Sequence, residues 1–254
     1  MSILLTTILN TAAATSSPAV IITEIMYDPA SPERTGEPEW VEIANLGDSA
    51  VDLEGWTLDD EDNTDWGKLE GTLEAGGVAV LINGEAASRE DFLGAWAGDP
   101  EADVDYLVLP IEWGSLANKP TDTNEVLQLL DAEGTVICEV NYGRGKGWPD
   151  PGRRGQSIFL KTLDLESVSK ASNWSLTEKD AEGSRVASGN SVYTKPDVGS
   201  PGYVQGIEEA SPARPAPTAP VSPKSSPQPE PAPKEPAKPT PPPPPAEDED
   251  DIPY

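Results

Sequence analysis

The residues nearest to a chemical constellation are the carboxylates of Asp59, Asp60, Glu61, Asp62 and Asp65, with Asn63 among them. Calcium takes about six to eight hard oxygens, and calcium loops supply them at alternate positions. Asp60 and Asp62 alternate in this way, but Thr64 stands where a further carboxylate or amide would help. The glycine that permits the sharp turn of an EF-hand loop is missing, as is its closing glutamate. Asp59, Asp60, Asp62 and Asp65 are therefore a weak calcium candidate, and a solvated hairpin tip is the simpler reading. No other cofactor is expected.

Nucleophilic chemistry has little to work with. The chain has one cysteine, Cys138, and no histidine to activate it. Cys138 shares the parity of Val136, Val140 and Tyr142, which makes it a small buried hydrophobe of a strand. A glycosidase needs two carboxyls across a cleft, one with a raised pKa, and nothing in so acidic a chain singles out two. Gly143, Gly145 and Gly147 alternate with Arg144 and Lys146, but they follow a strand and lead into Trp148-Pro149, so no helix N-terminus is there to hold a phosphate. A nucleophile elbow and zinc-type spacing are also missing. No catalytic residue is expected.

The elements that would position these groups read as β-strands. Val20 to Tyr27 is the first. Glu37 to Leu58 shows period-two alternation in two runs, Val41/Ile43 and Val51/Leu53, with Glu42 on the opposite parity, and this predicts an antiparallel hairpin with one buried face. Strand character returns at Leu69, Leu73 and Val78 to Ile82. Ser88 to Trp96 breaks the pattern: Ser88 can cap a short helix, Asp91 completes a box, and Phe92, Leu93 and Trp96 form its buried stripe. Glu125 to Tyr142 is a second hairpin, turning at Asp131 to Gly134. Ser157 to Leu160 and Asn173 to Leu176 are short late strands. Trp40 and Trp56 are expected in the core, Trp66 is the better candidate for an exposed platform, and Trp113, Trp148 and Trp174 close the sandwich ends.

Composition sets the boundaries. After Gln205 come 17 of the 28 prolines, with nine acids and four bases. Residues 206–254 offer almost nothing apolar to bury and are read as a disordered, partly polyproline tail, a spacer or a ligand for aromatic grooves. Net charge is −28, and Arg144, Lys146, Arg153 and Arg154 form the only local basic cluster, so direct nucleic-acid binding is disfavoured. Residues 1–19 are read as a secretory leader with small residues around Ala14 and Ala19, or as a flexible leader on a cytoplasmic protein. No segment approaches the roughly 20 apolar residues of a membrane helix.

Taken in order, these segments resemble the lamin-tail domain family, which is immunoglobulin-like. The resemblance is carried by IITEIMYDP (Ile21 to Pro29), EWVEIANLGDSAVDLEGWTL (Glu39 to Leu58), EAGGVAVLI (Glu74 to Ile82), WGSLAN (Trp113 to Asn118), GQSIFL (Gly155 to Leu160), NWSL from Asn173, and DVGSPGY (Asp197 to Tyr203). It covers roughly residues 20–205. The fold expected is an all-β, immunoglobulin-like antiparallel sandwich with a short helical insertion, followed by the tail. The resemblance implies a non-catalytic binding or structural module for a protein or cell-envelope partner, secreted or in the envelope. The alternative is an accessory domain of a metal-dependent secreted hydrolase, or a cryptic one. The chain lacks a lamin's rod heptads, so filament assembly is not implied.

Overall fold

A computed structural model describes residues 19–31, 38–60, 67–113, 116, 125–143, 145–151, 155–187 and 189–204. The leader, the tail and residues 61–66 of the acidic turn lie outside them, as do Arg144, Arg153 and Arg154. The described residues all fall within the unit Met1–Pro212.

In chain order the elements are β1 (Val20–Met26), β2 (Trp40–Asn45), β3 (Val51–Asp52), β4 (Thr57–Asp59), β5 (Thr72–Leu73), β6 (Val78–Asn83), α1 (Arg89–Trp96) and β7 (Leu107–Ile111). They continue with β8 (Glu125–Leu130), β9 (Val136–Tyr142), β10 (Ile158–Leu160), α2 (Leu165–Val168), β11 (Trp174–Leu176), β12 (Arg185–Val186) and β13 (Val198–Gly199). A six-stranded sheet runs β11-β10-β1-β2-β6-β7, and a three-stranded sheet runs β4-β8-β9. Two small ribbons, β3–β5 and β12–β13, complete the set. The fold is thus the expected all-β, immunoglobulin-like sandwich.

Its core lies between the two main sheets. Ile22, Ile25, Val41, Ile43 and Leu81 meet Leu58, Leu127, Leu129, Val140 and Tyr142 there. The β8–β9 hairpin forms as expected, pairing Leu127 with Val140 and Leu129 with Cys138. Gly134 takes φ 78° in its turn, the left-handed conformation that glycine adopts without a Cβ penalty.

The hairpin expected within Glu37 to Leu58 does not form. β2 pairs with β1 and β6, whereas β3 pairs with β5. The polar turn between the two runs is a corner where the chain leaves one sheet. Asn45 pins that corner: its Nδ2 donates to the carbonyls of Ser49, Leu73 and Glu74 at 2.9, 3.1 and 3.0 Å, and its Oδ1 accepts from Gly47 N at 3.0 Å. Alternation in two successive runs cannot distinguish paired strands from strands in different sheets.

Nor has β2 a solvent face, for all six of its residues are buried. Behind the large sheet, Met26, Trp40, Val80 and Ile82 form a second core with Phe92, Leu93 and Trp96 of α1 and with Tyr193. Trp40 packs edge-on against Trp96 and Phe92, at ring-centroid distances of 5.6 and 6.3 Å. The helix forms where the sequence predicts. Ser88 Oγ accepts from Asp91 N at 3.1 Å, and Asp91 Oδ2 accepts from Ser88 N at 3.2 Å. Its position follows from topology: β6 and β7 run parallel, and a parallel pair needs a crossover rather than a tight turn. The short helix α2 is an addition to the elements read from the sequence.

One irregularity sets the back face of β1. The β1–β2 register shifts between Ile22 and Glu24. Before it, Ile22 lies opposite Ile43, toward the sandwich core. After it, Ile25 lies opposite Val41 on the core side, while Glu24 and Met26 lie opposite Glu42 and Trp40 on the other. A bulge adds one residue and so reverses parity.

Candidate functional site

The bulge brings two acids together. Glu24 and Glu42 are directly opposed across β1 and β2, each about 1% exposed. No ion pair to either occurs among the described residues. What surrounds them is a set of neutral donors. Glu24 Oε1 accepts from Ser157 Oγ in a short bond, from Thr177 Oγ1 at 3.1 Å and from Ser200 N at 2.8 Å. Glu24 Oε2 accepts from Ser200 Oγ at 2.6 Å. Glu42 Oε2 accepts from Gly202 N at 2.7 Å, and Glu42 Oε1 lies 2.7 Å from Thr23 Oγ1.

The two carboxyls differ in donor supply, and this assigns the charge. Glu24 is saturated with donors, which suits a carboxylate. Glu42 has one obligatory donor, Gly202 N–H. Its other oxygen faces the hydroxyl of Thr23, which also lies 3.3 Å from the Glu42 carbonyl. A protonated Glu42 can donate to that hydroxyl, and the hydroxyl can pass its own hydrogen to the carbonyl. Burial, and then the charge of Glu24, push the Glu42 carboxyl up to about 8, against the opposing pull of its hydrogen bonds. Burial raises Glu24 as well, although its hydroxyl and N–H donors work against the rise. Of the two, Glu42 is the carboxyl placed to hold a proton and Glu24 the one supplied with donors for a charge.

A third buried acid holds the same chain segment. Asp197 Oδ1 accepts from Ala30 N, and its Oδ2 accepts from Ser31 Oγ at 3.1 Å. Burial raises this carboxyl above the usual range. Glu39 does similar work elsewhere: its Oε2 accepts from Trp113 Nε1 at 2.9 Å and from Leu116 N at 3.2 Å. These acids spend their oxygens on the donors of their own fold.

The metal candidates are not brought together within the described region. Asp59 ends β4 opposite Gln128, and its Oδ1 accepts from Asp60 N at 2.9 Å. Asp62 and Asp65 lie outside the described residues, as does Trp66. Among the described residues, no group of three or more His, Cys, Asp or Glu could hold a metal ion.

Cys138 is where its parity puts it, buried in the sandwich core. Its Sγ accepts from Ile22 N at 3.3 Å, beside the bulge. Burial pushes the thiol up to about 11, away from the nucleophilic thiolate. Trp40 and Trp56 are buried. The Trp148 and Trp174 rings pack tilted by 41°, with centroids 5.9 Å apart, and Trp174 Nε1 donates to Val168 O at 2.8 Å.

Sequence reasoning missed the Glu24–Glu42 pair, because an acid between Val41 and Ile43 reads as solvent-facing. Two signals were present. Trp40 shares the parity of Glu42, and VIITEIMY is apolar on both parities, so both point to a sheet covered on two sides.

An all-β sandwich with these closing turns defines the class, and comparison gives the family. The family described as Lamin Tail Domain matches residues 13–144, more than half of the 254-residue chain. The chain belongs to that family. Glu24 and Glu42 lie inside the match, whereas Ser157, Thr177, Ser200 and Gly202 lie beyond it. No curated protein matches the chain. Among solved structures it is similar to a DUF4876 family protein from Bacteroides thetaiotaomicron VPI-5482, at 12% identity and a TM-score of 0.37, over 65% of this chain and 69% of that one.

Proposed function

We propose that this lamin-tail domain is a non-catalytic binding or structural module that engages a protein or cell-envelope partner. The observation carrying this reading is the use made of the buried acids. Glu24, Glu42 and Asp197 are at most about 1% exposed and hydrogen-bond to their own chain. They stiffen the sandwich and do not present carboxyls to a cleft, as a general acid and base would need. A rigid scaffold of this kind suits recognition by surface loops.

In the same reading, residues 20–205 are the module and residues 206–254 are a spacer or interaction tail. Residues 1–19 are a secretory leader that delivers the module to the envelope or medium. No helix among the described residues is long and apolar enough to cross a membrane. The high negative charge keeps the module away from nucleic acid and other acidic surfaces.

The test has two arms. Phosphodiester, phosphomonoester and glycoside substrates are offered to the full chain with calcium, magnesium or manganese, and no turnover is expected. Turnover abolished by Asp60→Asn with Asp62→Asn would replace the module reading with that of a metal-dependent hydrolase. In the second arm the chain, with and without residues 206–254, is cross-linked to envelope fractions. Saturable capture that needs residues 20–205 is expected, and capture by the tail alone contradicts the assignment.

A further inference from the structure

Four side-chain polar atoms of the second core are buried without a hydrogen-bond partner among the described residues: Trp40 Nε1, Trp96 Nε1, Tyr106 Oη and Tyr193 Oη. Trp40 and Tyr193 are fully buried, Trp96 is 3% exposed and Tyr106 is 7% exposed. Buried indole N–H and phenol O–H groups ordinarily find a partner, because an unpaired one forfeits the bond it made to water in the unfolded chain. One such atom would be a local defect. Several in one cluster call for a shared partner.

Trp96 links the group. Its ring meets Trp40 edge-on, with centroids 5.6 Å apart and an interplanar angle of 85°, and meets Tyr193 at 6.1 Å and 80°. Gly199 borders both indoles: a Cβ there would lie 2.7 Å from Trp40 Cζ2 and 3.2 Å from Trp96 Cη2. Cζ2 is bonded to the ring carbon that carries Nε1, so Gly199 adjoins the polar edge of Trp40.

The cluster cannot satisfy itself. An indole N–H only donates, so Trp40 and Trp96 cannot serve each other. The side-chain oxygens of the group are those of the two phenols. Burial pushes the Tyr193 phenol up, and the Trp96 indole works against the rise, so the two groups are neighbours. They are nevertheless not aligned as a hydrogen bond. A direct bond between them would still leave Trp40 Nε1 unserved.

We propose that the second core binds an internal water, which accepts from Trp40 Nε1 and Trp96 Nε1 and donates to Tyr193 Oη. Two donors need an acceptor, and a phenol oxygen can take a donor. Water supplies both, and buried waters make about three hydrogen bonds each. Nothing larger has a way in, since Trp40 and Tyr193 present no surface to solvent. The water ties β2, through Trp40, to α1, through Trp96, and to the segment that carries Tyr193. It is a polar link in a core otherwise held by apolar contact.

The test is a high-resolution crystal structure of the full chain, paired with water–indole ROE measurements in solution on the full chain with 15N-labelled tryptophan. A water within about 3.2 Å of both Trp40 Nε1 and Trp96 Nε1 is expected. In solution, both indole N–H signals should show a cross peak at the water frequency, with the sign of a water that tumbles with the protein. The Trp40 peak should persist in Tyr193→Phe, where two indole donors still hold the water. Its loss in that variant would show relay through the phenol hydroxyl and contradict the proposal. Density without a water in reach of both indoles overturns it. So does a Trp40 N–H turned onto a ring face, read in solution as an upfield ring-current shift, or a Trp96 N–H bonded directly to Tyr193 Oη.

Discussion

Glu24 and Glu42 face each other across β1 and β2, and only one of them can be ionised without cost. Their separate surroundings decide which. Glu24 gathers donors from Ser157, Thr177 and Ser200, whereas Glu42 has a main-chain N–H on one oxygen and a hydroxyl on the other. The consequence for stability has an unusual sign. The Glu42 carboxyl is raised from 4.5 to about 8 in the folded chain. Between these values the unfolded chain has released the proton and the folded chain keeps it, so the contribution is full below 4.5 and is lost as pH rises to about 8. Ion-paired surface carboxylates act in the opposite direction.

Glu24→Ala is predicted to cost about 3–4 kcal/mol near pH 7, from unsatisfied buried donors and a cavity. Chemical denaturation measures it. A loss under about 1 kcal/mol would mean that the hydroxyls and the Ser200 N–H find other partners at no cost.

Gly202→Ala should be among the most damaging glycine changes. It places a side chain at φ 83° and drives a methyl into the Tyr106 ring. A loss of roughly 2 kcal/mol or more is expected, with rising amide exchange at Ser200 as the local sign. Gly134→Ala, also at positive φ but with open space around it, should cost about 1 kcal/mol.

Cys138 is predicted to resist thiol reagents in the native chain. It is buried, and its thiol is raised to about 11. Labelling at pH 8 should follow global unfolding, accelerating with denaturant in step with the loss of β-structure. Rapid labelling without denaturant would place the thiol at the surface.

Ser88→Ala removes the side-chain acceptor for Asp91 N. A cost of about 1 kcal/mol is expected, typical of a lost N-cap. Loss of the cap loosens α1 and so the cover over Trp40, which tryptophan fluorescence can follow.

Much of this fold was legible in the sequence, for reasons that differ by element. The β8–β9 hairpin and the cap of α1 depend on neighbours in the chain, and local pattern states them directly. Cys138 was placed by parity alone. The β2–β3 hairpin was misread because Asn45 turns the chain out of one sheet through bonds to Leu73 and Glu74, which lie far along the sequence. The acid pair was hidden for a related reason. It depends on a bulge at Thr23, a second core built from α1 and Tyr193, and a turn at Ser200. No window of alternation contains all three.

The most direct test compares the unfolding free energy of the wild type with that of Glu42→Gln from pH 5 to 9, by chemical denaturation of the full chain. Glutamine reproduces the protonated carboxyl: its amide can donate to Thr23 Oγ1 while its oxygen accepts from Gly202 N. Subtracting the two profiles removes the repulsion common to both chains. The variant should match the wild type within about 1 kcal/mol at pH 5 and exceed it by about 4–5 kcal/mol at pH 8.5, the stabilisation following from the raised Glu42 carboxyl. A difference that stays flat across this range, or that favours the wild type more as pH rises, would show that Glu42 is ionised in the folded chain and holds no proton.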